Sequence, residues 1–166
     1  SSDLLLVREV SVVAVHPSLP VKSVKELVAL AKARPGELNY GSGIAGGPPH
    51  LSGELFKSMA GVNIVRIPYK GSALAFTALI SGEVQMVIYD AGSVVPHAKS
   101  GRLRALAVTS AERSALLPEL PTVAASGLPG YESIGMTAVL APGRTPASIV
   151  TRLNQEIVRV LNQADV

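Results

Sequence analysis

The sequence contains no cysteine and no tryptophan, and aromatic residues make up only 4% of its 166 residues. The absence of cysteine excludes disulfide bonds and thiolate metal sites. The scarcity of aromatic side chains argues against platforms on which nucleobases stack. No apolar run approaches the roughly 20 residues of a membrane-spanning helix. A core must therefore be built from the aliphatic and alanine side chains that dominate the chain.

Charge of either sign is also modest, with a formal net charge of +3 when histidine is neutral. The basic residues are scattered rather than clustered, which favours solubility or mild attraction for anions. We therefore expect no nucleic-acid partner. The three histidines have no partners at metal-ligand spacing, so we expect no metal site, and we also expect no cofactor.

Predicted strands and helices alternate along the first two thirds of the chain. Apolar or β-branched runs predict strands at 10–15, 37–40, 63–67, 84–89 and 104–109. A capping box, Ser23 to Glu26, opens a helix that runs to about Ala33, and further helices are predicted at 50–60, 72–80 and 93–99, with Ser72 as a cap and Pro96 in a first turn. This alternation predicts an α/β fold, a mostly parallel sheet flanked by helices.

The last third differs in composition. Residues 117–131 are rich in proline and glycine and are typical of a connector between structural units. A strand is predicted at 137–141. A helix follows to about Asn162, with Thr145 as its N-cap and Pro146 as its first residue. Its predicted apolar face consists of Ile149, Leu153, Ile157, Val160 and Leu161.

One glycine-rich stretch, Gly41–Pro49, lies between a predicted strand and a predicted helix. Glycine lets the backbone turn sharply and approach a ligand closely. Free N–H groups at a helix start, together with the helix dipole, suit a carboxylate or a phosphate. The alternative is a tight turn with no ligand. The predicted ligand-binding residues of this loop are Ser42, Gly43, Ile44, Ala45, Gly46 and Gly47.

Two further turns follow predicted parallel strands, at 68–72 and 90–93, and ligands in such sheets bind beyond the carboxyl ends of the strands. His50 could donate a ring N–H or be an exposed first-turn histidine. Tyr69 could contact the ligand or lie in a solvated turn. Asp90 could hold a ligand ammonium or cap the next helix. Ser42 could donate to a carboxylate or bond its own backbone.

The stretch from Gly41 to Gly46 also matches the G-x-G-x-x-G pattern of dinucleotide-binding proteins. Pro48 and Pro49 would then fall inside the helix, where proline is disfavoured. The acidic residue expected about 20 positions later is replaced by Arg66, which would suit a 2′-phosphate but lies within an apolar strand. No nucleophile is placed beside a base. An NADP-binding enzyme domain is thus the least favoured alternative.

Several segments together resemble one protein family. They are Val21–Leu27, His50–Phe56, Ile67–Ser72, Gly101–Thr109, Leu120–Val123 and Gly127–Tyr131. In this order they are similar to the substrate-binding proteins of tripartite tricarboxylate transporters, also called the Bug family. The resemblance covers nearly the whole chain, and its motifs are jointly specific.

The resemblance implies a fold like that of type II periplasmic binding proteins, in which two α/β domains close on a small carboxylate or amino acid. It also implies a periplasmic receptor that delivers its solute to a membrane permease. No signal peptide is recognisable here, and the chain would be a fragment. Residues 14–131 would form the second domain, 1–13 a remnant of the first with a hinge strand, and 132–166 a returning strand and helix of the incomplete first domain. Its exposed apolar strands are expected to promote pairing of two chains.

Carried over by position, the family's carboxylate loop falls on Gly41–Pro49. The family often has Gly-Ser-Ser-Gly-Asn-Gly-Thr there, so Ser42 is retained, while Gly43, Ile44, Ala45 and Gly47 remove three or four polar side chains. Backbone N–H groups would then be the main donors. The family often has an acidic residue where Tyr89 lies, one place before Asp90. The second hypothesis is the effector-sensing domain of a transcription regulator, which shares this architecture.

Overall fold

The computed structural model describes the backbone of residues 3–163 and, except at 3–8 and 137, the surroundings of their side chains. Strands and helices alternate through most of this range. In chain order the elements are β1 (Asp3–Val15), α1 (Val24–Ala33), β2 (Asn39–Ser42), α2 (Pro48–Ala60), β3 (Val65–Pro68), α3 (Ser72–Ile80), β4 (Met86–Asp90), α4 (Ala91–Lys99), β5 (Arg104–Val108), a 3-10 turn (Ala124–Ser126), β6 (Ile134–Leu140) and α5 (Ala147–Leu161).

The strands form one sheet in the order β3-β2-β4-β1-β5, and β6 also pairs with β1. β2 is parallel to both β3 and β4. β1 is antiparallel to β4 and to β5, so β5 points in the same direction as the other three. The predicted mostly parallel sheet flanked by helices is confirmed. β1 is the exception, because it runs against its neighbours.

The chain divides into two compact units. The larger unit is Val10–Gly135, and the smaller one joins the residues up to Glu9 with those from Met136 onward. The predicted domain limits, 14 and 131, lie a few residues inside those of the larger unit.

The larger unit contains two apolar layers, one on each face of its sheet. Leu27 of α1 and Phe56 of α2 pack with Tyr40 on one face. Leu79 of α3 and Val94 of α4 pack on the other. All five side chains are at most 1% exposed. Burial of this extent is the main stabilising contribution to such a unit.

Local signals fix the start of α1. The Ser23 hydroxyl accepts a hydrogen bond from the amide of Glu26 at 3.2 Å, as a capping serine does. The Glu26 carboxylate accepts from the amide of Lys22 at 2.7 Å, one residue before the cap position that a standard capping box uses. The predicted helix and its start are confirmed.

The N-caps predicted for α3 and α5 are wrong, and so is the predicted start of α4. α3 begins with Ser72 itself, and Gly71 is its N-cap, with no side-chain cap. α4 begins at Ala91 because Asp90 caps it, which leaves Pro96 inside the helix rather than in its first turn. The N-cap of α5 is Pro146, not Thr145.

α2 also packs differently from its sequence pattern. Leu51, Leu55, Phe56 and Met59 recur at helical spacing along α2, but of these only Phe56 is buried. A Cβ at Gly53 would lie 2.5 Å from the ring of Tyr40, so this turn of α2 reaches the sheet only with a residue that lacks a side chain. The other residues buried by α2 are Ser52 and Ala60.

In the smaller unit, α5 has no buried residue. Most of its large apolar side chains are exposed, for example Ile149 at 49% and Leu153 at 47%. Within residues 3–163, no helix combines the length and the hydropathy needed to cross a bilayer. The same range holds no group of three or more His, Asp or Glu side chains placed to bind a metal ion.

Candidate functional site

The Gly41–Pro49 loop leaves the carboxyl end of β2 at the centre of three parallel strands. β2 pairs with β3 so that Ser42 lies beside Pro68, and with β4 so that Gly41 lies beside Val87. Because the three strands run in the same direction, the turns that follow them lie at one edge of the sheet. This is the edge at which the sequence predicts the ligand.

The loop lies directly against the start of α3. A Cβ at Gly43 would be 2.8 Å from both the amide nitrogen and the hydroxyl oxygen of Ser72. Real side chains essentially never come so close, so the contact depends on a glycine at position 43. Ser72 is therefore part of the surroundings of the loop. The sequence places the 68–72 turn at this edge of the sheet but does not reveal the contact of Ser72 with Gly43.

Two amides of the loop are already engaged, one by the first turn of α2 and one within the loop. The Gly46 amide donates to Nδ1 of His50 at 2.9 Å, and the Gly47 amide donates to the carbonyl oxygen of Ile44 at 3.0 Å. Pro48 and Pro49 begin α2 and have no N–H to offer. Fewer backbone N–H groups are therefore free to bind a ligand at the start of α2 than the sequence predicts.

The backbone amides of Ile44 and Ala45 are not used as hydrogen-bond donors within the described part of the chain. Both residues are exposed, and the described part of the chain shows no acceptor for either amide. A third donor comes from His50. Because its Nδ1 accepts the Gly46 amide, the proton of the neutral ring is on Nε2, which is left as a donor.

Ser42 and Arg66 hold the base of the loop. Ser42 is fully buried, and its hydroxyl oxygen accepts from Nε of Arg66 at 2.6 Å. Nη2 of the same guanidinium donates to the carbonyl oxygen of Gly43 at 2.8 Å. Neither ion pair found among the described residues involves Arg66. Its positive charge therefore stays available to an anion near the loop.

In the sequence, Arg66 lies within an apolar run and has no evident role in a carboxylate site. In β3, however, the Arg66 position pairs with Tyr40, and the next position on the same face of β2 is Ser42. Period-two alternation places side chains two residues apart on one face of a strand. That alternation, combined with the pairing of β2 and β3, is the signal that places Arg66 on the same face of the sheet as Ser42.

The side chains of Tyr69 and Asp90 are engaged elsewhere, although the Tyr69 amide donates to the carbonyl oxygen of Ser42 at 2.9 Å. The Tyr69 hydroxyl donates to the carboxylate of Glu83 at 2.9 Å. Desolvation, followed by that hydrogen bond, raises the pKa of Tyr69, so the phenol remains neutral. Asp90 accepts from the amide of Ser93 at 2.7 Å and caps α4, the second of its two interpretations. Neither side-chain contact involves the Gly41–Pro49 loop.

The first turns of α2 are fixed on both sides. The Ser52 hydroxyl donates to the carbonyl oxygen of Pro48 at 2.7 Å and lies 2.6 Å from the hydroxyl of Ser133. The Tyr131 hydroxyl donates to the carbonyl oxygen of Ser52 at 3.0 Å. These contacts hold the helix start, and with it the end of the loop, in one position.

A polar cluster ties the middle of α2 to β2. The Tyr40 hydroxyl donates to Glu54 at 2.6 Å, and Lys57 Nζ is 2.8 Å from the same carboxylate. Desolvation and the contact with Glu54 raise the pKa of Tyr40. Desolvation acts to raise the pKa of Glu54 as well, but the hydrogen bonds from Lys57 and Tyr40 outweigh it and hold that pKa below its ordinary value.

A separate open cavity of about 430 Å³ lies on another part of the larger unit. Lys99, Arg104 and Glu119 are among the residues that line it. None of the predicted ligand-binding residues does. The cavity is therefore distinct from the loop at the carboxyl edge of the sheet.

The family model described as the tripartite tricarboxylate transporter family receptor matches residues 4–165. BugT of Bordetella pertussis is 39% identical over 150 residues, which are 90% of this chain and 46% of that protein. The UPF0065 protein in the tcbD-tcbE intergenic region of Pseudomonas sp. (strain P51) is 38% identical over 94% of this chain and 47% of its own length. The chain thus spans about half the length of the curated relatives that it matches.

Solved structures give the same result. The structure of R. palustris Rpa4515 with adipate has a TM-score of 0.88 and 42% identity, and covers 98% of this chain and 54% of that one. MatC from Rhodopseudomonas palustris with bound malate has a TM-score of 0.88 at 27% identity, over 97% and 55%. The periplasmic binding protein BugD has a TM-score of 0.86 at 30% identity, over 97% and 54%.

Proposed function

Because this chain belongs to the tripartite tricarboxylate transporter receptor family, we propose that it forms the carboxylate-holding part of an extracytoplasmic solute receptor. Two similar structures contain adipate and malate, both small dicarboxylates. The full-length protein would take up such an acid and deliver it to the membrane permease of its transporter. Family members and similar structures are solute receptors rather than enzymes.

The observation that carries this proposal is the set of unengaged donors at the loop. The amides of Ile44 and Ala45 have no acceptor among the described residues, and Nε2–H of His50 is a third donor. A carboxylate has two oxygens that accept several such bonds. Each charge-assisted bond contributes about 1.5–3 kcal/mol. The positive charge of Arg66 at the base of the loop adds long-range attraction.

The same geometry argues against chemistry on the ligand. Ser42 carries the one side-chain hydroxyl of the predicted loop, and no other side chain of the loop could act as a nucleophile. Ser42 is fully buried, and its hydroxyl oxygen accepts a hydrogen bond from the guanidinium of Arg66. A guanidinium is always protonated and cannot serve as the general base that activates a hydroxyl. The loop is built to hold an anion without altering it.

A receptor of this family closes two walls around its ligand, as hinged domains do. This chain supplies one wall, so a bound acid would remain half solvated. We therefore expect the chain alone to bind weakly and the full-length protein to bind tightly. Micromolar affinity of the chain alone would contradict this expectation.

His50 provides a sharp test by isothermal titration calorimetry of the full-length protein with adipate, malate, citrate, glutamate and aspartate. In His50→Asn, the side-chain oxygen still accepts the Gly46 amide, but the Nε2 donor is lost. We expect an affinity loss of about tenfold or more for the best ligand, since one charge-assisted hydrogen bond disappears. The unfolding temperature should not change.

The matched variant is His50→Gln, whose amide nitrogen reaches the position of Nε2. It retains a donor for the ligand but gives up the contact with Gly46. Binding of none of the five acids to the full-length protein would refute the proposal. Unchanged affinity of His50→Asn would remove His50 from the site.

A further inference from the structure

Each of the two unengaged amides of the loop belongs to a peptide unit whose carbonyl oxygen is held. The Ile44 amide shares its unit with the carbonyl of Gly43, which accepts from Nη2 of Arg66 at 2.8 Å. The Ala45 amide shares its unit with the carbonyl of Ile44, which accepts from the Gly47 amide at 3.0 Å. Because every described peptide bond is trans, the N–H and the C=O of one unit point in opposite directions. Both free N–H groups are therefore directed away from the group that holds the carbonyl.

The two carbonyls are held by different means. The carbonyl of Ile44 is held by a backbone amide of the same loop. The carbonyl of Gly43 is held by a side chain from another strand, 23 positions along the chain. That guanidinium is itself fixed, because its Nε donates to the buried hydroxyl of Ser42 at 2.6 Å. The direction of the Ile44 N–H thus depends on one side chain, that of Arg66.

The Gly43–Ile44 peptide unit needs such a restraint. Glycine is conformationally permissive, so residue 43 does not by itself fix the orientation of the unit that follows it. A unit rotated toward the ligand by its carbonyl would set an oxygen against a carboxylate, and the two would repel each other. Donation by the guanidinium favours the orientation that presents the N–H. It also polarises the unit and strengthens that N–H as a donor.

Resting on the proposed function, we propose that Arg66 is a positioning residue of the anion site, which directs the Ile44 N–H toward the ligand by holding the carbonyl of Gly43. This contribution acts at short range and adds to the attraction between charges. Long-range attraction is screened in salt, with a Debye length of about 3 Å at 1 M, whereas the orientation of a peptide unit is not. Salt therefore separates the two contributions.

Calorimetry of the full-length protein with adipate, malate, citrate, glutamate and aspartate measures both contributions. Arg66→Met removes the charge and both hydrogen bonds. It should weaken binding of the best ligand by about tenfold or more in dilute buffer, and still by about fivefold in about 1 M sodium chloride. The matched control is Arg104→Met, because Arg104 also donates to two oxygens, the carbonyls of Leu19 and Val21 at the start of β5. It should leave the affinity unchanged at both salt concentrations.

Nuclear magnetic resonance of the ligand-free protein tests the peptide unit itself. A glycine followed by isoleucine occurs once in this chain, at 43 and 44. Labelling glycine carbonyls with carbon-13 and isoleucine amides with nitrogen-15 therefore selects this unit within the chain, and its signal is the one that Ile44→Val removes. In Arg66→Met the signal should shift or broaden, because the Gly43 carbonyl loses its donor. In Arg104→Met it should stay in place.

Arg66→Lys is the second variant if Arg66→Met does not fold. It keeps the charge but lacks the planar fork of donors that holds Ser42 and Gly43 together. It should shift the same signal and weaken binding by about fivefold at either salt concentration.

An affinity loss in Arg66→Met that disappears in salt would overturn the inference, since Arg66 would then act by charge alone. An unchanged Gly43–Ile44 signal in the Arg66 variants would also overturn it, as would an equal loss of affinity in Arg104→Met. In each of these cases the unmodified protein still binds its acid, and the proposed function stands. Failure of all five acids to bind the unmodified protein would instead refute the receptor proposal together with this inference.

Discussion

α1 and α2 pack on the same face of the same sheet, but they use their apolar residues in opposite ways. In α1 the apolar residues at helical spacing are buried: Val24, Leu27 and Ala31. In α2 the longest apolar stripe is exposed, with Leu51 at 57%, Leu55 at 38% and Met59 at 39%. α2 instead buries the side of the helix that carries Ser52, Gly53, Phe56 and Ala60.

The difference follows from what precedes each helix. α1 begins at its own cap, Ser23, and is free to turn its apolar face to the sheet. α2 continues directly from the Gly41–Pro49 loop, and Ser52 and Tyr131 fix its first turns. Its rotation is set by the loop, so small residues meet the sheet at close range. A helix whose start is fixed by the preceding loop need not bury its most apolar face.

The largest test of this comparison is a matched pair of leucine substitutions, one in each helix. Leu27→Ala removes a side chain with 0% exposure and should lower the free energy of unfolding by about 3–5 kcal/mol. Leu55→Ala removes a side chain that remains 38% exposed and should cost less than about 1 kcal/mol. Urea unfolding of the two variants measures both.

The exposed face of α2 predicts that Leu51→Ala behaves like Leu55→Ala. If Leu55→Ala were as damaging as Leu27→Ala, α2 would be rotated from the orientation described here. The buried position of Gly53 against the Tyr40 ring would then also be wrong.

The sequence was sufficient where interactions are local. The capping box at Ser23 and Glu26 lies within four residues, so a short motif predicts both the helix and its start. The order of strands and helices, and the glycine-rich loop at a strand end, are likewise visible in local composition. The family was identified separately, from the resemblance of six sequence segments, and the comparisons confirm it.

The roles of Arg66 and Ser72 could not be predicted because they depend on residues distant in sequence. Arg66 reaches Ser42 across 24 positions, and only strand pairing brings them together. Ser72 meets Gly43 because α3 begins beside the loop. Likewise, Asp90 offered two interpretations in sequence, and only the distance to Ser93 selects one.

The second test compares the two helix starts. The loop before α2 depends on the contact of Gly43 with Ser72, whereas α1 depends on its own capping serine. Gly43→Ser forces a Cβ to within 2.8 Å of Ser72 and should cost about 1–3 kcal/mol of stability. Ser72→Gly alone should cost only a few tenths of a kcal/mol, since glycine at a helix start is tolerated.

The double variant should recover part of the loss, because removing the Ser72 hydroxyl relieves one close contact while its amide nitrogen remains. A coupling free energy of about 1 kcal/mol is expected from the four unfolding curves. Strict additivity of the two substitutions would show that the loop and α3 do not touch as described.

The smallest expected effect is on stability at low pH. It tests whether the Glu54–Lys57 ion pair of α2 contributes to stability in addition to apolar contacts such as those of α1. Hydrogen bonds from Lys57 and Tyr40 outweigh desolvation and lower the pKa of Glu54, so its carboxylate stabilises the fold above its ordinary pKa of 4.5. That contribution is lost as the pH falls through the lowered value. The urea midpoint of the unmodified chain should therefore decline more steeply below about pH 4.5 than that of Glu54→Gln. Parallel pH profiles would mean that the Tyr40–Glu54–Lys57 cluster does not hold α2 on β2, and that packing alone sets the position of both helices.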